Sequence, residues 1–326
     1  MSYKDAPVVT TRPCSTSILA VASKDRFANY VQERFGISAL TENASPYDFT
    51  INKPGNLMSG FFTRLAVTEF SMDWTIPNIN NNTFFMNVIY QPTGTGPATT
   101  STIQIPNGFY SPKELAAYIQ TFIQGLDTSL ASVVFNYGTA GNGAYFSYVN
   151  LSGSLPKATI AFSPLTTNPS TNKPIPDTQK QLFDLLGFGT KNQVLATSGF
   201  GVSTFCVYTD YVDVVCSQLT YNQPLKDTMT QNIVRDTLCR VYLNQINGQM
   251  NANTTAAGTA TFATTGSRPF QIYHNYTHPK QINWTPNQNV GQLRFQLFDD
   301  SGNPLSEAIS QYIGGNWQMT LLVTEN

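Results

Sequence analysis

The sequence predicts an all-β fold: a single jelly-roll sandwich with one or two short helices and an N-terminal arm. Three observations predict it. Several stretches alternate apolar and polar residues with the two-residue period of a half-buried strand. Long polar connections at 92–101, 164–177 and 248–267 interrupt them, as loops at the ends of two packed sheets would. A short, well-formed helical pattern stands between strands.

Residues 1–60 lack clear alternation and carry scattered Pro, Ser and Thr. They are expected to form an arm over the main domain or a neighbour. One amphipathic piece within them groups Phe27, Tyr30, Val31 and Phe35, with Ser23 as cap and Gly36 as stop. The jelly-roll domain is expected to span 61–326 with long polar loops. In "FFTRLAVTEFSMDWTI" the apolar parity changes between Leu65/Val67 and Phe70/Met72/Trp74, which predicts a bulge near Thr68–Glu69. "NTFFMNVIY" (82–90) is expected to pair with that strand across an Asn-rich turn.

The stretch 105–126, "IPNGFYSPKELAAYIQTFIQGL", reads as one helix. Ser111 and Glu114 form a capping box, and Pro112 takes the first helical position, where a missing N–H costs nothing. Leu115, Tyr118, Ile119, Phe122, Ile123 and Leu126 make one apolar stripe, expected to plug the sandwich. A hairpin follows at 132–150, then a strand at 158–165. "DTQKQLFDLLGFG" predicts a shorter helix with Asp177 as cap, Leu182, Phe183, Leu185 and Leu186 buried, and Gly187 as stop. In the last third, Val212, Val214 and Cys216 share a face, with Asp213 and Ser217 on the other. Leu293, Phe295 and Leu297 alternate in the same way, as do Trp317, Met319, Leu321 and Val323.

At 326 residues the chain can bury a substantial core. Its charged fraction is 11%, against about 25% in ordinary domains. A net charge of -1 argues against a nucleic-acid binder held by phosphate contacts. A neutral, amide-rich surface with 16 Tyr and 21 Phe suits broad contact with protein. Cys14, Cys206, Cys216 and Cys239 form no C-x-x-C pair and read as reduced, mostly buried thiols. Residues 1–20 do not resemble a signal peptide, and no 18-residue apolar run exists, so synthesis in a reducing cytosol is expected with no membrane span. Sequons such as Asn150-Leu-Ser152 and Asn275-Tyr-Thr277 arise readily by chance in an Asn- and Thr-rich chain.

Candidates for chemistry are few. His274 and His278 have H-x-x-x-H spacing, but Pro279 and strand-like flanks argue against a helix, and no nearby carboxylate supplies a third ligand. "DDSGN" (299–303) lacks the spaced ligands of a Ca²⁺ loop and reads as a tight turn set by Asp299, Gly302 and Asn303. No nucleophile elbow or phosphate loop is present. The expectation is no enzyme, no catalytic residue, no metal and no cofactor. Trp74, Trp284 and Trp317 amid Asn and Gln leave open a carbohydrate-binding jelly-roll, although Trp74 and Trp317 alternate as core.

Four segments occur in order: "VTEFSMDWTIPNINNNTFFM", "IPNGFYSPKELAAYIQTFI", "LFDLLGF" and "LRFQLFDDSGNPL…NWQMTLLVTE". Together they resemble the penton or minor capsid proteins, single jelly-roll vertex proteins of tailless double-stranded DNA viruses: adenovirus-like viruses, virophages and polinton-like viruses. The resemblance covers most of residues 61–326; the N-terminal arm matches nothing, and the Arg-Gly-Asp of some penton bases is absent. It implies a homopentamer at icosahedral fivefold vertices, surrounded by major capsid protein capsomers, in a virion assembled in the host cytosol or nucleus. A minor cementing capsid protein is the nearest alternative.

Overall fold

The alternation builds two antiparallel sheets over one core. The computed structural model describes residues 16–26, 45–52, 62–93, 96–140, 143–153, 156–170, 172–175, 179–188, 194–201, 209–221, 227–228, 234–243, 252–254, 260–262, 270–284, 290–308 and 315–325. Eight strands make the sandwich: β1 (Thr16–Ala22), β2 (Asp48–Asn52), β3 (Arg64–Trp74), β4 (Tyr211–Val215), β5 (Thr237–Tyr242), β6 (Phe270–Asn275), β7 (Gln292–Phe298) and β8 (Trp317–Thr324). One sheet runs β1-β8-β3-β6, with Ile282–Asn283 pairing onto β3, and the other runs β5-β4-β7-β2. That order is the double Greek key of eight strands. The fold is a jelly roll.

Alternate residues of both sheets meet in the core. Val67, Phe70, Met72, Ile272, Met319 and Leu321 come from the first sheet, and Phe49, Val212, Val214, Leu293, Phe295 and Leu297 from the second. Trp317 sits among Phe49, Phe70 and Phe295, with ring centroids 5.5, 5.8 and 5.6 Å away. Its Nε1–H donates to the Pro46 carbonyl at 2.6 Å. Gly315, just before β8, has φ +70, and a Cβ there would lie 2.0 Å from the Tyr47 hydroxyl. Both the backbone region and the space therefore require glycine.

The parity change in β3 is a bulge. Thr320 of β8 pairs with Glu69 but Leu321 pairs with Val67, which leaves Thr68 as the extra residue. Its groups are used: the Thr68 carbonyl accepts from Tyr276 N–H at 2.9 Å, and its hydroxyl donates to the Thr320 carbonyl at 3.2 Å.

Two strands lie inside the region expected to be an arm. β1 pairs along its length with β8, and β2 with β7. β1 is an outer strand of which only Val21 is buried, so its sequence carries almost no alternation. The amphipathic piece at 27–35, Cys14, Cys206, Asp177 and most of 248–267 lie outside the described residues.

A second core occupies the connection from β3 to β4. Phe85–Gln91 pairs with Thr99–Gln104 and Thr159–Ser163, not with β3 as expected. Val133–Ala140 and Gly143–Asn150 form the expected hairpin, joined by Ser198–Phe200. The long helix α1 (Pro112–Leu126) belongs here and does not plug the sandwich: its buried Leu115, Ile119 and Ile123 join Phe85, Phe135, Phe146, Phe162 and Phe183. The capping box is formed, with Ser111 N–H donating to Glu114 Oε2 at 2.8 Å and Glu114 N–H to Ser111 Oγ at 3.3 Å. Two glutamines tie the helix to the hairpin, as Phe135 N–H donates to Gln120 Oε1 at 3.0 Å and Gln124 Nε2 to the Val133 carbonyl at 2.8 Å. The second helical piece is one turn, Leu182–Leu185, begun at Gln181 and followed by Gly187 at φ 75. Polar bonds join the two cores: Asn81 N–H to the Ala308 carbonyl at 2.9 Å, and Lys180 Nζ to Asp300 Oδ1 at 2.9 Å.

Candidate assembly surface

The outer face of the first sheet is a regular grid fixed by strand register. Ile18, Leu322 and Ala66 form one row, Ala20, Thr320 and Glu69 a second, and Ala22, Gln318, Ser71 and Tyr273 a third. Among these side chains only Glu69 is charged, and the exposed Arg64 and Asp73 of β3 bound the three rows on the same face. Glu69 is held in place, accepting from Thr320 Oγ1 at 3.2 Å and from Tyr273 Oη at 3.5 Å. Ile18 is 71% and Tyr273 63% exposed, the most open apolar side chains of the sandwich's strands. Beside Tyr273 runs a groove of about 410 Å³ lined by Ala20, Asp25, Glu69, Ser71 and Gln318 among others. Small, uncharged side chains can be desolvated at little cost, which suits contact with another protein surface.

The outer face of the second sheet is different, because its charges are neutralised in pairs. Arg294 meets Asp48 through two bonds of 3.0 and 2.9 Å. Asp213, on the face opposite Val212 and Val214 as expected, is fully buried under Arg240, which donates to its two oxygens at 2.7 and 2.9 Å. The guanidinium also lies 3.9 Å over the Tyr211 ring, and its bonding to the Asp213 carboxylate raises the Arg240 pKa. Sequence reasoning missed this pair: the two residues are 27 apart and face each other only once β4 and β5 are in register.

The two histidines are not brought together on one ligand. His274 Nε2 bonds to the Tyr242 carbonyl at 2.8 Å, while His278 Nδ1 faces Thr277 Oγ1 at 3.2 Å. Among the described residues no group of three or more His, Cys, Asp or Glu could hold a metal ion. Trp74, Trp284 and Trp317 are buried, at 4%, 5% and 2% exposure, so none is available to stack on a sugar. Asn150 is buried too and donates to the Ala158 carbonyl at 3.1 Å, which withholds that sequon from modification in the folded chain. Cys216 and Cys239 are free buried thiols, each pushed up to about 12 by burial. No helix among the described residues is long and apolar enough to cross a membrane.

The 299–303 segment is a tight turn. Asp299 Oδ1 accepts from Ser301 N–H at 2.9 Å and Asn303 N–H at 2.8 Å, and Gly302 takes φ 85. Asp300 turns the other way, to Lys180 and to Asp210 N–H at 3.0 Å. Burial pushes the Asp299 carboxyl up to about 6 from 3.8, against the backbone bond from Asn303 that lowers it. The folded chain thus holds this proton more tightly than the unfolded chain, so the contribution of Asp299 to stability grows as pH falls from about 6 towards 3.8. In Asp299→Asn that contribution is expected to vanish. As pH falls from about 6 to 3.8, the melting temperature of wild type is expected to gain on that of Asp299→Asn; parallel curves would count against a shifted Asp299.

No protein-family model matches the chain, and no curated protein matches it. Among solved structures, the chain is similar to the mavirus penton protein: 10% identity, 97% of this chain and 100% of that one covered, TM-score 0.48. It is also similar to a chain in the structure of the Sputnik virophage, at 12% identity, with 95% of this chain and 98% of that one covered and a TM-score of 0.38. Likeness of this degree carries no argument about function. The jelly-roll assignment rests on the strand order itself.

Proposed function

We propose that this chain is a structural capsid protein that forms a homopentamer at the fivefold vertices of an icosahedral virion, contacting the surrounding major capsid protein capsomers. The observation that supports it is an eight-strand jelly roll whose first sheet carries on its outer face three rows of side chains with Glu69 as their one charge. Jelly rolls serve in capsids, lectins and small-molecule-binding barrels. The sandwich interior here is filled by its own core, and the three indoles that would suit a sugar are buried. A face for protein contact is what remains, and the role is structural rather than catalytic.

A closed ring needs heterologous contacts, in which one patch meets a different patch on the next copy. The first-sheet face serves as one of the two patches. Native mass spectrometry across concentrations is expected to find a species of five chain masses. Ile18→Asp with Leu322→Asp, which places two charges in the contact, is expected to dissociate it to monomer. A monomer at every concentration, alone and with capsomers present, would overturn the vertex reading. A pentamer indifferent to both substitutions would move the contact elsewhere.

A further inference from the structure

β5 is an outer strand: one side pairs with β4, and among the described residues no strand pairs with the other. In an antiparallel strand, the N–H and C=O of one residue point to the same side, and alternate residues point outward. Such an edge is a template for another strand. Here the outward carbonyls are occupied from across the sandwich. Lys280 Nζ donates to the Thr237 carbonyl at 2.8 Å, Tyr276 Oη to that of Arg240 at 2.9 Å, and His274 Nε2 to that of Tyr242 at 2.8 Å. A carbonyl only accepts, so Nε2 carries the hydrogen.

The donors are placed for this. His274 and Tyr276 share the inward parity of the core residue Ile272, so they project from the first sheet toward the second. Their rings stack at 5.8 Å and 20°, which holds both donors in one orientation. An incoming strand needs alternating acceptors and donors. At β5 it would first have to displace three formed bonds and leave three partly buried donors without these partners.

We infer that His274, Tyr276 and Lys280 form a side-chain seal that closes the β5 edge to strand addition by a second copy of this chain. Copies then meet through faces and not through this edge. The inference does not depend on a ring: it holds equally for a monomer.

The test uses the full chain carrying His274→Ala, Tyr276→Phe and Lys280→Met. It is expected to form concentration-dependent species beyond the wild-type association state. In those species the amides of Arg240 and Tyr242 should exchange hydrogen about tenfold or more slowly than in wild type, because each then donates to the added strand. The Tyr242 N–H points outward with its carbonyl, so adding Tyr242→Pro breaks no bond to β4 and blocks the edge. It should restore the wild-type association state. His274→Ala alone, at a partly exposed position, decides the matter if the triple variant does not fold; slower exchange is then expected at Tyr242. An unchanged association state, larger species without slowed exchange at these amides, or species that survive Tyr242→Pro would each overturn the seal.

Discussion

Replacing Arg240 with leucine is expected to destabilise the fold by about 3–5 kcal/mol, because it strands a fully buried carboxylate. Asp213 has no exposed surface, and the guanidinium supplies both of its close donors, at 2.7 and 2.9 Å. Arg240→Lys keeps the charge but loses the two-pronged bond and the planar contact with Tyr211, so an intermediate loss is expected. The double variant Asp213→Leu/Arg240→Leu should recover most of what the single variant loses, since no buried charge remains. Urea unfolding at neutral pH measures all three. A single-variant loss below about 1 kcal/mol, the range of exposed pairs, would mean that water reaches Asp213.

Trp317→Ala carries the other large expected effect, about 3–5 kcal/mol from lost burial and the cavity left behind. The indole is 2% exposed and touches aromatic rings from both sheets, so its removal loosens the sandwich at its centre. Trp317→Phe should cost less, retaining ring contacts while leaving the Pro46 carbonyl without its 2.6 Å donor. Amide exchange separates this from a general effect. Protection should fall in β2, β3 and β8, while the hairpin at 133–150, in the other core, keeps its own. Equal loss in both would show that the cores unfold as one.

What the sequence reveals follows the range of the interaction that decides it. β7 and β8 are legible because every second residue, Leu293 to Leu297 and Trp317 to Val323, faces one core. The Thr68 bulge is legible from parity, and the start of α1 from its capping box, since both are local. β1 is not, because its exposed Ile18 and buried Val21 cancel the pattern at an outer strand. The placement of Phe85–Gln91 and α1 in a separate core is not legible either, because periodicity marks a buried face without naming what covers it. The candidate surface is hidden for the same reason: Ile18, Leu322 and Ala66 become neighbours only through strand pairing. Of the seal only His274 drew notice in the sequence, for its spacing to His278, whereas its partner is the Tyr242 carbonyl opposite.

The second core has a consequence for how the chain is made. Its residues, Ile79 to Phe188, all precede β4. β8, which lies between β1 and β3, is the last strand of the sandwich in chain order. During synthesis, therefore, the connection can complete its own hydrophobic cluster while the sandwich still lacks the strand that joins its first and third members. The jelly roll is expected to close only once β8 has been made, and until then β1 and β3 stand beside that neighbour with the position between them unfilled.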